Sequence, residues 1–347
     1  MARIAVVSSH PPFTEGGHLV IARSLVGALR EAGHEADVVL TPQNRFGRQG
    51  AAYLATWLTD VGESDGRRVD QVISLRYPSY AVRHPRHVCW LNHTMREYYD
   101  LWPTFRAGLS RLNRAKEGAR RWLVHTADRA LLSPRRLSRL FVQSETVRDR
   151  LKDAIGLEGD VLYPPPPPRP YRCDGYNHYL LAVSRLTPLK RIDLIIRALA
   201  EPEALGTRLV VIGDGDARAE LRALAGALGV LSRVTFLGQV DDEELVTHYA
   251  RCRAVCFAPL REDFGFITAE AFASCKPVIT CTDSGGPAEM VHHEVEGLVS
   301  KPTPAALAGA MGRMMDDPAF AERMGAAAGE RAREMTWPAT VRQLLVV

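Results

Sequence analysis

The sequence predicts an α/β protein made of two Rossmann-like, doubly wound lobes. Short β-branched runs alternate with amphipathic stretches, the pattern of βαβ units and a parallel sheet. The alternation begins at residue 3 and restarts near residue 179, after a proline-rich interruption. At 347 residues the chain is long enough for about two average domains.

The first run, RIAVVSS, reads as a strand ending in small polar residues. The apolar spacing from Leu19 to Leu29 suits a helix, Gly33 stops it, and Ala36 to Leu40 resumes a strand. VDQVISLRYP and RHVCWLNH are further strands, and RLFVQSETVRDRLKDAI reads as a strand, a serine cap and a helix. YPPPPPRPY, at 163–171, is barred from helix and sheet interior because proline fixes φ and lacks an N–H. It reads as a stiff linker between lobes, with a ligand for a proline-reading domain as the alternative. Strand and helix then alternate through YLLAVSRLTPLKRIDLIIRALA, TRLVVIGDGDARAELRALAGALG, VTFLGQVDDEELVTHYARC, AVCFAPL and KPVITCTDSGGPAEMV. Ligands of open α/β sheets bind beyond the carboxyl ends of the strands, so two such lobes imply a cleft.

Composition narrows the function. Hydrophobic content of 46% and charged content of 24% are those of a soluble globular protein. A net charge of +4 does not by itself imply nucleic acid. No apolar run is long enough for a membrane span, and MARIAVVSSHPP reads as a buried strand rather than a signal peptide. The six cysteines lack a second pair at metal spacing beside Cys252 and Cys256 and are expected to be reduced thiols of a cytoplasmic protein. From Arg106 to Arg139, ten Lys/Arg stand against two acids, Glu117 and Asp128. That stretch reads as a solvated helical surface or as a patch facing an anionic membrane or a phosphorylated substrate.

Four features converge on a phosphate-bearing ligand. Gly16 and Gly17 in SSHPPFTEGGHLV precede a helix, where backbone N–H groups can approach an anion. Arg185 and Lys190 in VSRLTPLKRID flank a Thr-Pro turn; Arg offers a fork and Lys a point charge. Gly285 and Gly286, with Pro287 at a first helical position, form another candidate anion loop to which Ser284 adds a hydroxyl. In REDFGFITAE, Gly265 permits a tight turn whose amides point outward before a helix that starts near Ile267. Each has a plainer reading as an ordinary turn, capped helix or exposed basic residue. GDGDARAE falls short of a dinucleotide fingerprint because Arg218 stands where a third glycine is needed. P-loop, H-E-x-x-H and G-x-S-x-G patterns are absent. His292 and His293 read as a solvent-facing helix end, and His93 lies just past a strand, where a cleft wall or a packed histidine would be.

Together, the Gly16–Gly17 pair, SRLTPLKR at 184–191, EDFGFITAEAFASCKPV at 262–278 and SGGPAE at 284–289 resemble one family. It is the retaining, nucleotide-sugar-dependent glycosyltransferases of GT-B type that carry a Glu-x7-Glu motif, the family 4-like group 1 glycosyl transferases. The resemblance spans nearly the whole chain and is tightest in the second half. It implies that Arg185 and Lys190 bind the donor diphosphate and that Glu270 bonds the ribose hydroxyls. Glu262 would lie by the transferred sugar, with Phe264 and the amides around Gly265, Phe266 and Ile267 touching sugar and phosphate. Gly17 would approach the phosphates, and His93 would stand beside the donor sugar. The catalytic set would be Glu262, His93, Arg185 and Lys190. The implied domains are residues 1–165 on the acceptor side, joined by a C-terminal helix at 334–347, and residues 166–333 for the donor. Two departures stand out: Cys275 where a small residue, often glycine, is usual, and Asp263 where glycine is frequent.

The implied chemistry needs no metal and no resident cofactor, because the nucleotide sugar, UDP- or GDP-linked, is a co-substrate. The acceptor would be a glycan, a lipid-linked molecule or a small molecule, with no nucleic acid partner and with peripheral membrane contact through Arg106 to Arg139. A nucleotide-sugar epimerase and a non-catalytic nucleotide-sugar sensor remain as alternatives.

Overall fold

The computed structural model describes residues 1–11, 16–43 and 46–347. The chain divides into two units: Met1–Pro164 with Trp337–Val347, and Pro165–Thr336.

The first unit opens with β1 (Arg3–His10), α1 (Gly17–Glu31), β2 (Glu35–Pro42) and α2 (Gln49–Leu58). A hairpin of β3 (Glu63–Ser64) and β4 (Arg67–Arg68) leads to β5 (Gln71–Arg76) and β6 (His87–His93). Next come α3 (Trp102–Ala107), α4 (Arg111–Leu131), β7 (Arg139–Val142), α5 (Glu145–Ile155) and β8 (Asp160–Val161). The sheet runs β2-β1-β5-β6-β7-β8 with every pairing parallel. Such sheets are buried on both faces, and β5 is buried along its full length. Local signals set the helix ends: the Ser144 hydroxyl accepts from Val147 N–H at 3.1 Å, and Gly156 ends α5 at φ 68°.

The terminal helix of the chain also belongs to this unit. Trp337 meets the fully buried Trp90 edge-on, with ring centroids 6.3 Å apart. The Gln71 amide donates to Leu344 O at 2.6 Å and accepts from Val346 N–H at 2.9 Å. The helix starts at Trp337, after the break at Met335 and Thr336.

The second unit alternates strand and helix: β9 (Leu180–Val183), α6 (Ile192–Leu199), β10 (Leu209–Ile212), α7 (Arg218–Ala227), β11 (Val234–Gly238) and α8 (Asp242–Arg251). β12 (Ala254–Cys256), α9 (Phe266–Ala273), β13 (Val278–Cys281), α10 (Gly286–Met290) and β14 (Gly297–Ser300) follow. α11 (Pro304–Asp316) and α12 (Pro318–Glu334) close it, and α13 is the terminal helix Trp337–Leu344 of the first unit. The sheet order β11-β10-β9-β12-β13-β14 is again wholly parallel. Leu180, Ile195, Val211, Ile279, Leu298 and Met311 lie in its core. The strand order reverses between β9 and β12, which is where ligands of doubly wound sheets bind.

The proline segment forms neither helix nor strand, as its composition requires, and the unit boundary falls inside it between Pro164 and Pro165.

Candidate donor site in the second unit

The loops leaving β9 and β12 meet at the strand-order reversal. After β9 the chain turns through Ser184 and Arg185 into a single turn, Pro188–Lys190. Arg191 then takes φ 50°, a left-handed conformation, before α6 begins. The loop rests on the glycines of GDGDARAE. A Cβ on Gly213 would fall 1.9 Å from Ser184 O, and one on Gly215 would fall 2.5 Å from Leu186 O. Leu186 N–H bonds Asp214 O at 2.9 Å. Those glycines therefore allow two backbones to touch, a role quite apart from a dinucleotide.

Lys190 ends the turn, half-buried, with its ammonium 2.7 Å from Glu262 Oε2 and 5.5 Å from the centre of the Phe257 ring. Arg185 is exposed and makes no ion pair among the described residues. The sequence reading gave no role to Arg191, whose guanidinium is the clamp of the site. It grips Asp283 through two bonds of 2.8 and 2.7 Å and donates to Ala258 O and Pro259 O at 2.8 Å. The loops after β9, β12 and β13 are thereby locked together.

The loop after β12 carries Glu262, Asp263 and Phe264 to Gly265, which sits at φ 83°. A Cβ there would meet the Phe257 ring at 2.7 Å, so both conformation and space call for glycine. Phe264 is buried and meets Phe266 edge-on. α9 starts at Phe266, a residue before the expected start, and Thr268 N–H bonds back to Gly265 O at 3.0 Å. Helix geometry leaves the N–H groups of Phe266 and Ile267 without an intrahelical acceptor.

Glu270 lies one turn further along α9 and is buried. Its Oε1 accepts from Arg169 at 2.6 Å and its Oε2 from the Tyr249 hydroxyl at 2.8 Å. Burial pushes the carboxyl up, while Arg169 and Tyr249 hold it down. Glu262 and Glu270 thus have separate surroundings, one on Lys190 and the other on Arg169. Sequence reasoning missed Arg169 and Tyr249 because nothing local links the proline segment, α8 and α9.

The glycine pair at 285–286 departs from the expectation of an anion loop. Gly286 N–H is spent on Glu262 O at 2.9 Å, and a Cβ on Gly285, at φ 72°, would fall 2.5 Å from that same oxygen. Ser284 is fully buried, and its hydroxyl accepts from Cys281 N–H at 3.2 Å. The pair exists to let the β13 loop lie against the Glu262 backbone. Cys275 adopts φ 52° between α9 and β13, which explains why glycine suits that position.

In the first unit Gly17 is exposed as the first residue of α1, and Gly16 before it is extended at φ −171°. Pro12 to Glu15, the rest of that loop, lie outside the described residues. His93 is the half-buried last residue of β6, opposite Arg76 at the end of β5. Around α4 both acids turn inward. Glu117 accepts from the Tyr98 hydroxyl at 2.6 Å, and fully buried Asp128 accepts from the hydroxyls of Tyr53, Tyr80 and Tyr99. The exposed part of α4 therefore carries Arg111, Arg114, Lys116 and Arg129 with Leu112, Trp122 and Leu123, and no carboxylate.

Residues 171–331 match the family described as "Glycosyl transferases group 1". A D-inositol 3-phosphate glycosyltransferase of Corynebacterium diphtheriae is 32% identical over 184 residues, covering 50% of this chain and 43% of that protein. The chain matches about two fifths of the length of its curated relatives. Among solved structures, sucrose-phosphate synthase from Thermosynechococcus elongatus superposes with a TM-score of 0.75 at 20% identity, covering 99% of this chain and 97% of that one. Anabaena HepE in complex with UDP and glucose superposes with a TM-score of 0.68 at 18% identity, covering 98% and 97%. These likenesses show a GT-B fold.

Proposed function

The second unit carries a group 1 glycosyltransferase domain, residues 171–331, and from that premise we propose that the protein is a retaining, metal-independent glycosyltransferase. It moves a sugar, a hexose in our reading, from a nucleotide-sugar donor to an acceptor hydroxyl. The observation that carries this reading is the grouping of Lys190, Glu262, the α9 N-terminus and Glu270 at the β9–β12 reversal.

Breaking a glycosyl–phosphate bond builds negative charge on the departing diphosphate and positive charge at the anomeric carbon. Arg185 and Lys190 supply cations to the diphosphate, and the Phe266 and Ile267 amides supply aligned dipoles. This charge stabilisation needs no metal. Lys190 is already fixed by Glu262, so little reorganisation accompanies donor binding. Glu262 faces the hydroxyls of the transferred sugar, and Glu270 accepts from the ribose. The acceptor attacks from the face the diphosphate leaves, with the leaving phosphate oxygen taking its proton, so the anomeric configuration is kept. No protein nucleophile is assigned, and the carboxylate-pair scheme of glycoside hydrolases does not apply.

UDP or GDP is the carrier we favour; support comes from the structural relative crystallised with UDP and glucose. The acceptor is a glycan, lipid-linked or small hydroxyl compound, reached by a protein that rests on the cytoplasmic face of a membrane. The carboxylate-free surface of α4 supports that peripheral contact. A thermal-shift screen against UDP-, GDP-, ADP- and dTDP-sugars tests the reading: one class of donor stabilises the protein, and stabilisation by none contradicts it.

A further inference from the structure

Arg169 sits between Pro168 and Pro170, on backbone that proline holds extended. Its Nη1 donates to Glu270 Oε1 at 2.6 Å and its Nε to Asp242 Oδ1 at 2.9 Å. The Tyr249 hydroxyl takes the other oxygen of Glu270 at 2.8 Å. An ionised carboxylate has about four acceptor sites, two on each oxygen. Arg169 and Tyr249 therefore leave one site open on each oxygen.

We propose that Arg169 is a positioning residue for donor binding, fixing the Glu270 carboxylate so that each oxygen accepts from one hydroxyl of a ribose cis-diol. This rests on the donor reading above. The same contact keeps Glu270 charged in a buried place. Burial and Asp242 push the carboxyl up, and Arg169 is the first influence that holds it down, with Tyr249 second. Tyr171, whose hydroxyl lies 3.4 Å from Arg169 Nη1, is the remaining titratable neighbour. Without Arg169 the carboxyl protonates at higher pH and loses acceptor capacity.

The test is calorimetric titration of the full chain and of Arg169→Met, Arg169→Lys and Glu270→Gln with UDP, GDP and ADP and their 2′-deoxy forms, between about pH 5 and pH 8. Wild type binds the preferred ribonucleotide about tenfold more tightly than its 2′-deoxy form, the size of one charge-assisted hydrogen bond. Arg169→Met loses most of that preference, and its acid-side loss of binding moves to higher pH. Arg169→Lys keeps the wild-type pH limb and regains only part of the preference, since one ammonium cannot span Glu270 and Asp242 as a guanidinium does. Melting temperatures near wild type separate positioning from misfolding. If Glu270→Gln abolishes the preference while Arg169→Met keeps both preference and pH limb, the role of Arg169 is overturned and the donor reading stands. If Glu270→Gln keeps the full preference, or no nucleotide binds wild type, both fall.

Discussion

Lys190 shows how much of the site depends on single atoms. Its ammonium is half-buried and lies 2.7 Å from Glu262, and in our reading it serves the donor diphosphate. Lys190→Ala is expected to weaken nucleoside diphosphate binding by roughly 10- to 100-fold, the value of a charged hydrogen bond, with calorimetry as the check. Glu262→Gln should leave nucleotide affinity intact, because Lys190 stays and a competing anion goes, yet lower turnover. Gly285→Ala belongs at this scale as well. A Cβ 2.5 Å from Glu262 O, at φ 72°, should lower stability by about 1–3 kcal/mol in a chemical melt. Glu262, Glu270, Lys190 and Gly265 were legible as residues because each lies in a local motif. Arg169, Tyr249 and Arg191 were not, because their partners lie on other elements, up to 101 residues away for Arg169 and Glu270.

At the scale of elements, α4 has two unlike sides. Its inner side holds Asp128 among three tyrosine hydroxyls, and burial raises that carboxyl from 3.8 to about 6. A raised carboxyl means that the fold favours the protonated form. This contribution is complete below about pH 4 and is lost as pH rises through about 6. The melting temperature of wild type relative to Asp128→Asn should therefore fall between those values and stay level above them, by a free energy on the order of 3 kcal/mol. A flat difference would show that Asp128 does not titrate in that range. The exposed outer side carries basic and apolar groups with Asn113 and Thr126, and no carboxylate. Flotation with anionic phospholipid vesicles should recover the protein, and Trp122→Ser with Arg114→Gln and Lys116→Gln should reduce recovery, by roughly 1 kcal/mol per charge removed. Recovery unchanged by the triple substitution would refute contact through this face. Composition alone showed the excess of basic residues in this stretch. That both acids point inward depends on tyrosines from α2 and from the 79–99 stretch, which no periodicity reveals.

Across the whole molecule, two six-stranded parallel sheets arise from one alternating pattern, yet their strand orders differ at one edge. The first unit reads β2-β1-β5 where the second reads β11-β10-β9. The alternation of strand and helix was legible because period and turn chemistry are local, and so was the break at the prolines. The strand order was not, because it depends on which edge each returning strand joins. Among the glycine motifs, GDGD was legible as the turn it is, SGG was expected as an anion loop but lies against the Glu262 backbone, and Gly265 opens α9. No helix among the described residues is long and apolar enough to cross a membrane. The central claim is that the second unit presents a sugar nucleotide to an acceptor using its own cations. The most direct measurement is nucleoside diphosphate release from UDP- and GDP-sugars in EDTA with a panel of hydroxyl acceptors, wild type beside Lys190→Ala. The account predicts acceptor-dependent release by wild type and a loss of about 100-fold or more in the variant. Release restored only by added metal, or equal in the two proteins, would contradict it.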